Sequence, residues 1–399
     1  MKRIYLITVS LLIFFGRVDA QEISDLKMSV NRGSVEMETE DEKFSFGIGG
    51  RAYLDAATYF DDESDLGNGS EVRDVRFSMK ATLWAKWNAK INISFADESV
   101  ALKDVFLQYN INKNSLFRVG NFFEPFGVEQ TESSKTIKFM HLSSTIEAFR
   151  PNRNLGMSYA VWDNKYFWEM GLFGSDTENT SEGDEGYGLT SRLTFAPIQR
   201  EEKLLHFGLS GTYRTANANG FDEEGNENSK TIRYRSRAAT HIERRRFIDT
   251  QNIDEADHQV KFGFEMIAAT GPLSLQGEYI SAKVSRESDM EDYNANGYYA
   301  QMGYLLKGGN YQYKSNTARL SKPAPGSLEL LLRYNHTDLN DSSSAIMGGE
   351  QKDITLGCTW YMNHNILIKL NFTNVDLDKY ALNGEENFNM IQSRLQFSF

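Results

Sequence analysis

The chain has 399 residues, with 55 acidic and 43 basic side chains and a formal net charge of −12. This acidic balance argues against nucleic-acid binding, and the single cysteine, Cys358, excludes an internal disulfide. Six prolines, 31 glycines and 13% aromatic residues are typical of a protein with many strands, and no Pro-rich or Ser-rich linker divides the chain.

Residues 1–20 have the three parts of a secretory signal peptide: a basic start, an apolar run at residues 4–15, and small side chains at Val18 and Ala20. The apolar run is shorter than the roughly 20 residues that a membrane-spanning helix needs. We therefore expect export, removal of residues 1–20 and a mature chain that begins at Gln21.

Residues 21–43 are predicted to form a short N-terminal periplasmic segment. The stretch "SVEMETEDEK" at residues 34–43 alternates between apolar and polar side chains, as a short strand or an ordered arm would. The sequence assigns no function to this segment.

From residue 44 to residue 399, apolar and polar residues alternate repeatedly with period two. Examples are "KINISFAD" (90–97), "VKFGFEM" (260–266) and "NILIKLNF" (365–372). A soluble β-sandwich gives the same alternation. Strands of about ten residues, the length that a tilted strand needs to cross a bilayer, favour an all-β transmembrane antiparallel barrel, as do aromatic residues at strand ends.

We expect about sixteen strands in this barrel domain, residues 44–399, because a closed barrel with both chain ends on one side needs an even number. Tight turns alternate with long polar connections, which predicts short turns on one side and long outer loops on the other. The predicted strands start near residues 44, 71, 87, 100, 115, 154, 165, 186, 203, 257, 272, 293, 326, 350, 365 and 388. The predicted long connections are residues 125–153, 217–255, 307–326 and 339–350.

The final predicted strand, "IQSRLQFSF" (391–399), ends in Phe399 and resembles the signal read by bacterial outer-membrane assembly machinery. A barrel of this size leaves a water-filled lumen lined by the polar strand faces. The sequence therefore predicts a channel in the outer membrane of a Gram-negative bacterium.

The stretch "TIRYRSRAATHIERRRF" (231–247) holds six arginines. Arg233, Arg235 and Arg237 would face the same way in an extended segment, roughly 6.6 to 6.8 Å apart. Each guanidinium can offer two donors to an oxyanion, so the row predicts a ladder of anion sites along the pore. Arg244, Arg245 and Arg246 are consecutive and are expected to be loop or mouth charge.

Two other interpretations of this stretch stay open. The arginines would form a solvated basic loop if they paired with Glu243, Asp249 and the acidic loops. Phosphate groups of lipopolysaccharide are a further possible target.

An ordered set of motifs resembles the phosphate-selective porins O and P of Gram-negative bacteria. The resemblance implies a sixteen-stranded trimeric porin, with a loop folded into the lumen at the constriction and an arginine ladder that leads anions to it. The motifs are "FSFGIGGRAYLDA" (44–56), "RVGNFFEPFGVEQTESSK" (118–135), "TIRYRSR" (231–237), "NGYYAQMGYLLKG" (296–308), "LELLLRYN" (328–335), "TLGCTWYMN" (355–363) and the terminal phenylalanine.

The resemblance also carries roles to single residues. Arg233, Arg235 and Arg237 match the alternate spacing of the ladder. Arg51 matches an arginine of the lumen, and Lys135 matches a lysine that lines the anion path.

The constriction departs from the family pattern of two adjacent arginines followed two residues later by tyrosine. Here Arg73 takes the first arginine position, Asp74 replaces the second, and Arg76 stands at the tyrosine position. We expect Asp74 to pair with Arg73 or Arg76 and to weaken the positive potential. A bulge would let Arg73 and Arg76 face the same side despite their spacing of three.

The resulting prediction is a porin for passive diffusion of small anions, with phosphate or polyphosphate as the leading solute. Outer-membrane lipid, lipopolysaccharide and two further copies of the chain are the expected partners, and no cofactor, metal or catalytic residue is expected. One alternative is a general or sugar-permeable porin, with Tyr298, Tyr299, Tyr311 and Tyr313 as candidate sugar contacts. A barrel hydrolase is the other alternative; "HTD" at residues 336–338 offers a histidine and a carboxylate, but no serine stands out as nucleophile.

Overall fold

The computed structural model describes residues 26–31, 33–96, 100–175, 177, 185–218, 220–221, 223–225 and 228–399. The predicted signal peptide lies outside the described residues. Across these ranges, no helix combines the length and the apolar character that crossing a bilayer requires.

The described residues form twenty-two strands and one short helix, α1 (Ser144–Phe149). In chain order the strands are β1 (Leu26–Asn31), β2 (Ser34–Thr39), β3 (Ser45–Phe60), β4 (Gly69–Leu83), β5 (Trp87–Ser94), β6 (Ala101–Asn112), β7 (Ser115–Phe123), β8 (Arg153–Trp162), β9 (Tyr166–Phe173), β10 (Gly188–Arg200), β11 (Lys203–Thr215), β12 (Arg235–Ser236), β13 (Ile248–Asp249), β14 (Ala256–Thr270), β15 (Leu273–Arg286), β16 (Tyr293–Lys307), β17 (Tyr313–Lys314), β18 (Arg319–Leu320), β19 (Leu328–Asp341), β20 (Ile346–Trp360), β21 (Ile366–Leu377) and β22 (Glu386–Ser398).

Sixteen of these strands form one closed antiparallel barrel: β3 to β11, β14 to β16, and β19 to β22. Each barrel strand pairs with its neighbours along the chain, and the ring closes where β22 pairs with β3, from Asn389↔Phe60 to Ser398↔Arg51. The expected sixteen-strand barrel is confirmed. Every predicted strand start lies within four residues of the observed one.

The barrel wall has its apolar side chains outside and its polar side chains inside. In β21, Leu370 and Phe372 are 51% and 39% exposed, whereas Lys369 and Asn371 are 1% and 3% exposed. A soluble protein would show the opposite arrangement, because water would cover the polar face. The alternation therefore presents an apolar outer surface to lipid and a polar wall to the lumen.

The N-terminal segment forms a hairpin of β1 and β2 that continues the barrel sheet. β2 pairs with the start of β3, from Val35↔Ile48 to Glu38↔Ser45. The stretch 34–43 thus contains the short strand that its alternation suggested. Its location in the periplasm remains a prediction.

Two expectations about the connections are wrong. Residues 339–350 do not form a long loop, because β19 and β20 continue as a paired ladder to Asp341↔Ile346, with only residues 342–345 between them. The long connection at residues 308–327 lies at the same end of the barrel as the short turns at 163–165 and 271–272, because all three follow strands that run in the same direction. One end of the barrel therefore carries a long connection as well as short turns, so the two kinds of connection are not confined to opposite ends.

Three long connections fold into the barrel, as the resemblance implied for at least one. We name residues 124–152 the first lumen loop, residues 228–255 the second lumen loop and residues 308–327 the third lumen loop. The first contains α1, which Ser143 caps by accepting a hydrogen bond from the backbone N of Ile146. The second contains the sheet of β12 and β13, and the third the sheet of β17 and β18.

Candidate functional site

Cationic side chains of the barrel wall hold the first lumen loop by its main chain. The Nζ atom of Lys369 donates to the carbonyl oxygens of Ile137 at 2.5 Å and Phe139 at 3.0 Å. The Nη1 atom of Arg394 donates to the carbonyl oxygen of Met140 at 2.8 Å. Both cations face the lumen and hold the loop by its carbonyl oxygens.

Two further wall residues extend this attachment. The carboxylate of Glu278 accepts hydrogen bonds from the backbone N–H groups of Val128 at 2.9 Å and Glu129 at 2.7 Å. The Nζ atom of Lys261 donates to the carbonyl oxygen of Phe149 at 2.8 Å. The first lumen loop therefore touches widely separated parts of the wall and narrows the lumen.

The second lumen loop crosses to the part of the wall where the barrel closes. The Nδ1 atom of His241 lies 2.8 Å from a carboxylate oxygen of Glu71 in β4. The amide nitrogen of Gln392 in β22 donates to the carbonyl oxygen of Ala239 at 3.0 Å. Phe247 is 1% exposed and belongs to the apolar cluster inside the barrel mouth. The sequence left the direction of this loop open, and the structure shows that it folds inward.

A cavity of about 460 Å³, here the first cavity, lies between these two loops and the wall formed by β3 to β8 and β22. Its lining has more than twice as many cationic side chains as carboxylates. The seven cations are Arg73, Arg76, Lys103, Arg150, Arg153, Arg237 and Arg394, and the three carboxylates are Asp74, Glu132 and Glu147.

A second cavity of about 410 Å³ adjoins the first. Arg150, Arg214, Arg233 and Lys261 line it, and no carboxylate is among its described lining residues. Because Arg150 lines both cavities, its side chain lies between the two spaces. Burial lowers the pKa of Arg150 to about 10, so the side chain stays charged at neutral pH.

A β-bulge in β4 brings the constriction residues together. The pairing with β3 runs through Tyr53↔Asp74 and then Leu54↔Val72, which leaves Arg73 as the extra residue. The bulge lets Arg73, Asp74 and Arg76 all line the first cavity. In a regular strand, Arg73 and Arg76 would face opposite sides because they are three residues apart.

Asp74 forms ion pairs with Arg51 and Arg76 but not with Arg73. Its Oδ2 atom lies 2.8 Å from Nε and 2.6 Å from Nη2 of Arg51, and 3.3 Å from Nη2 of Arg76. Arg73 forms no ion pair within 4.0 Å in the described part of the chain, and its buried Nε has no hydrogen-bond partner there. Arg51, at 4% exposure, does not line the first cavity.

The ladder arginines alternate with buried residues, as an extended segment requires. Tyr234 and Ser236 are 2% and 0% exposed, whereas Arg233, Arg235 and Arg237 share the opposite face. Only Arg235 of the three lies in a strand, the short β12. The segment that carries the three arginines is therefore extended but, apart from β12, not part of a regular strand.

The three ladder arginines differ in their partners. Arg233 lines the second cavity and forms a bidentate pair with Asp249, with Nε at 2.7 Å from Oδ1. Arg237 lines the first cavity, and its Nη1 lies 3.0 Å from Glu147 Oε1. Arg235 forms no ion pair within 4.0 Å among the described residues and lines neither cavity.

The remaining predicted cations have local roles. The Nζ atom of Lys135 lies 3.4 Å from the carbonyl oxygen of Gly50, and burial lowers the Lys135 pKa to about 8. Lys135 lines neither cavity. Arg244 and Arg245 pair with Glu71 and Glu243, as expected for charge at the mouth.

Sequence analysis placed Lys261 on a polar strand face but did not single out Lys261, Arg150 or Arg214 as site residues. Arg214 and Lys261 stand on polar strand faces, so period-two alternation places them in the lumen. Arg150 lies in an irregular stretch just after α1, where no local pattern identifies it.

The tyrosines considered as sugar contacts line neither cavity. Tyr299 is 2% exposed and donates to Glu278 at 2.7 Å, and Tyr311 donates to Glu329 at 2.5 Å. Tyr298 is 39% exposed on the outer surface of the barrel.

His336, the histidine considered for catalysis, alternates with the buried Asn335 and Thr337 and so lies on the outer face of β19. Its Nε2 atom lies 2.6 Å from Glu350 Oε1.

Known proteins were compared with the chain by family, by sequence and by structure. The model of the family "Phosphate-selective porin O and P" matches residues 46–399. The chain belongs to this family. Porin O of Pseudomonas aeruginosa is 24% identical over 413 residues, which cover 92% of this chain and 91% of the relative.

Solved structures agree on the fold of this porin. An anion-selective porin from Comamonas acidovorans superposes with a TM-score of 0.54 at 12% identity, covering 89% of this chain and 100% of that chain. A trimer form of OmpT, an outer membrane protein of Vibrio cholerae, has a TM-score of 0.56 at 10% identity, covering 89% and 99%. The protein is thus an outer-membrane porin of a Gram-negative bacterium, and its family and fold indicate a channel rather than an enzyme.

Proposed function

We propose that this porin lets small anions, with phosphate as the leading solute, diffuse through the two adjoining cavities. The observation that carries the proposal is that Arg150 lines both cavities, each of which has cations in its lining. The second cavity has no carboxylate in its described lining. Two of the three carboxylates in the first cavity already have arginine partners.

A row of fixed cations favours anions for two reasons. It raises the local concentration of anions in the narrow part of the pore, and it lets an anion move between neighbouring sites without leaving a favourable potential. Arginine adds geometry, because its planar fork matches two oxygens of a tetrahedral oxyanion. The family description and the anion selectivity stated for the Comamonas porin support the same proposal.

Phosphate selectivity depends on cations that have no carboxylate partner. Arg73 and Arg150 meet this condition among the described lining residues of the first cavity. Their guanidinium groups can donate to phosphate, because no carboxylate of the protein already balances their positive charge. Asp74 acts against this preference by adding negative charge next to Arg73.

The test is single-channel current in a planar bilayer across a KCl gradient, followed by titration with phosphate. We expect a reversal potential on the anion side and a block of chloride current at low phosphate concentration. A cation-side or near-zero reversal potential would contradict the proposal and leave a general porin.

The ladder is tested by replacing Arg233, Arg235 and Arg237 together by alanine, with the triple lysine variant as control. We expect the alanine variant to assemble and to conduct anions less well, and the lysine variant to keep most of its anion conductance. Unchanged anion conductance in an assembled alanine variant would exclude a role for the ladder.

We also propose that the porin is a homotrimer whose mouth arginines contact lipopolysaccharide phosphates. The trimer form recorded for the Vibrio cholerae protein and the family resemblance support the oligomer. The side chain of Arg244 pairs with Glu71 and is 60% exposed, which leaves it accessible to a phosphate group. Chemical cross-linking in native outer membranes should give a trimer band, and a monomer alone would contradict this assembly.

A further inference from the structure

Glu132 differs from the other two carboxylates of the first cavity because it has no ion-pair partner. Asp74 and Glu147 each have two arginines within 4.0 Å. In the described part of the chain, no cation lies within 4.0 Å of the Glu132 carboxylate, which also accepts no hydrogen bond there. Glu132 is 9% exposed, so its carboxylate is buried beside the first cavity with no ion-pair partner within 4.0 Å among the described residues.

The cations nearest to Glu132 are engaged elsewhere. Lys138 lies 2.6 Å from Glu329, and Lys369 donates to two loop carbonyl oxygens. Arg319 donates to the carbonyl oxygen of Thr131. The charged and titratable groups that face Glu132 are Glu129 and Lys138 of its own loop, Arg319 of the third lumen loop, Lys369 of β21 and Tyr361 after β20.

We propose that Glu132 is a specificity-determining residue whose ionisation sets how strongly the first cavity favours anions. With Glu132 neutral, the cations of the cavity face only carboxylates that already have partners. With Glu132 ionised, a negative charge without an ion-pair partner is added to the lining of the cavity that Arg73 and Arg150 also line. This inference rests on the proposed anion path.

The environment of Glu132 places its titration in the physiological range. Burial disfavours the charged form and raises the pKa of Glu132 to about 7. The carboxyl is therefore neutral below this pH and ionised above it, so the preference for anions should fall as pH rises through about 7. Lys135, whose pKa is about 8, loses positive charge at higher pH and acts in the same direction.

The experiment measures the reversal potential across a KCl gradient from about pH 5 to about pH 9, a range that spans both titrations. The channels compared are wild type, Glu132→Gln, Lys135→Arg and the control Glu287→Gln, which removes an exposed carboxylate in the turn after β15. Heat-modifiable mobility on gels confirms barrel assembly for each.

We expect the wild-type ratio of chloride to potassium permeability to fall about threefold with a midpoint near pH 7. Glu132→Gln should lose the part of this step that Glu132 contributes, so its ratio should change less than the wild-type ratio between about pH 6 and about pH 8. Lys135→Arg and Glu287→Gln should both keep the step near 7.

Two results would overturn the inference: a wild-type ratio that is constant across about pH 7, or an assembled Glu132→Gln channel that keeps the step. Failure of the proposed function looks different, because the wild-type channel would then favour cations at every pH. Loss of the pH step in Glu132→Gln would still assign the titration to Glu132 in that case.

Discussion

Replacing Asp74 by asparagine removes the carboxylate that neutralises Arg51 and Arg76 and keeps nearly the same side-chain shape. Nε of Arg51 lies 2.8 Å from Asp74 Oδ2, and Nη2 of Arg76 lies 3.3 Å from it. The asparagine oxygen can still accept one hydrogen bond from Arg51. We expect the variant to bind anions at Arg73 more tightly, because it removes a repulsive charge and releases two cations.

The repulsion can be worked out from the spacing of residues in a strand. An anion about 7 Å from the Asp74 carboxylate, two residues along a strand, is repelled by about 2.4 kcal/mol at an effective dielectric of about 20. Physiological salt, with a Debye length of about 8 Å, reduces this to about half. The remaining free energy, about 1.2 kcal/mol, corresponds to about sevenfold in affinity.

The assay is phosphate block of chloride current through single channels, with Asp74→Glu as the charge-conserving control. The half-blocking phosphate concentration should fall about sevenfold in Asp74→Asn, by the Coulomb estimate, and change little in Asp74→Glu. Equal block in wild type and in an assembled Asp74→Asn channel would refute the argument that Asp74 weakens the constriction.

Three further substitutions separate selectivity from architecture. Arg150→Ala should reduce anion conductance more than Arg233→Ala, because Arg150 lines both cavities, whereas Asp249 already neutralises Arg233. Single-channel recordings of the two variants test this order. Lys369→Met leaves two loop carbonyls without their donor, at about 1 to 3 kcal/mol for each buried group, and should widen the pore, seen as larger and noisier conductance with little change in selectivity. Gly120→Ala should impair assembly, seen as loss of heat-modifiable mobility, because Gly120 has φ +133° and an added Cβ would lie 2.2 Å from a backbone oxygen of β6.

The barrel could be predicted from sequence because its signal is local. Period-two alternation depends on residues a few positions apart, and it reports the two faces of the wall without knowledge of the pairing partner. The same pattern wrongly predicts a loop at residues 339–350, whose sequence "LNDSSSAIMGGE" is rich in small and polar side chains. There the strands extend beyond the expected membrane-spanning length, and their inner face packs on the second lumen loop: Leu339 is 0% exposed and belongs to the same apolar cluster as Ile248.

The bulge at Arg73 could be predicted from the sequence only in part. The sequence showed that Arg73 and Arg76 could share a face only if the strand carried an extra residue. The position of that residue depends on the pairing of β4 with β3, which skips from Asp74 to Val72 opposite consecutive residues of β3. Such a register shift is decided by the partner strand, so one strand read alone does not locate it.

The sequence does not predict which cations have a partner in the fold, because pairing depends on contacts between residues far apart in the chain. Lys369 and Ile137 are 232 positions apart, yet their hydrogen bond decides that Lys369 holds a loop and does not bind solute. Arg73 has the same charge but no partner within ion-pair distance among the described residues. We therefore propose that engaged cations fix the shape of the pore and that cations without partners set its selectivity. A substitution of the first kind should change conductance more than the ion ratio, and one of the second kind should change the ion ratio more than conductance.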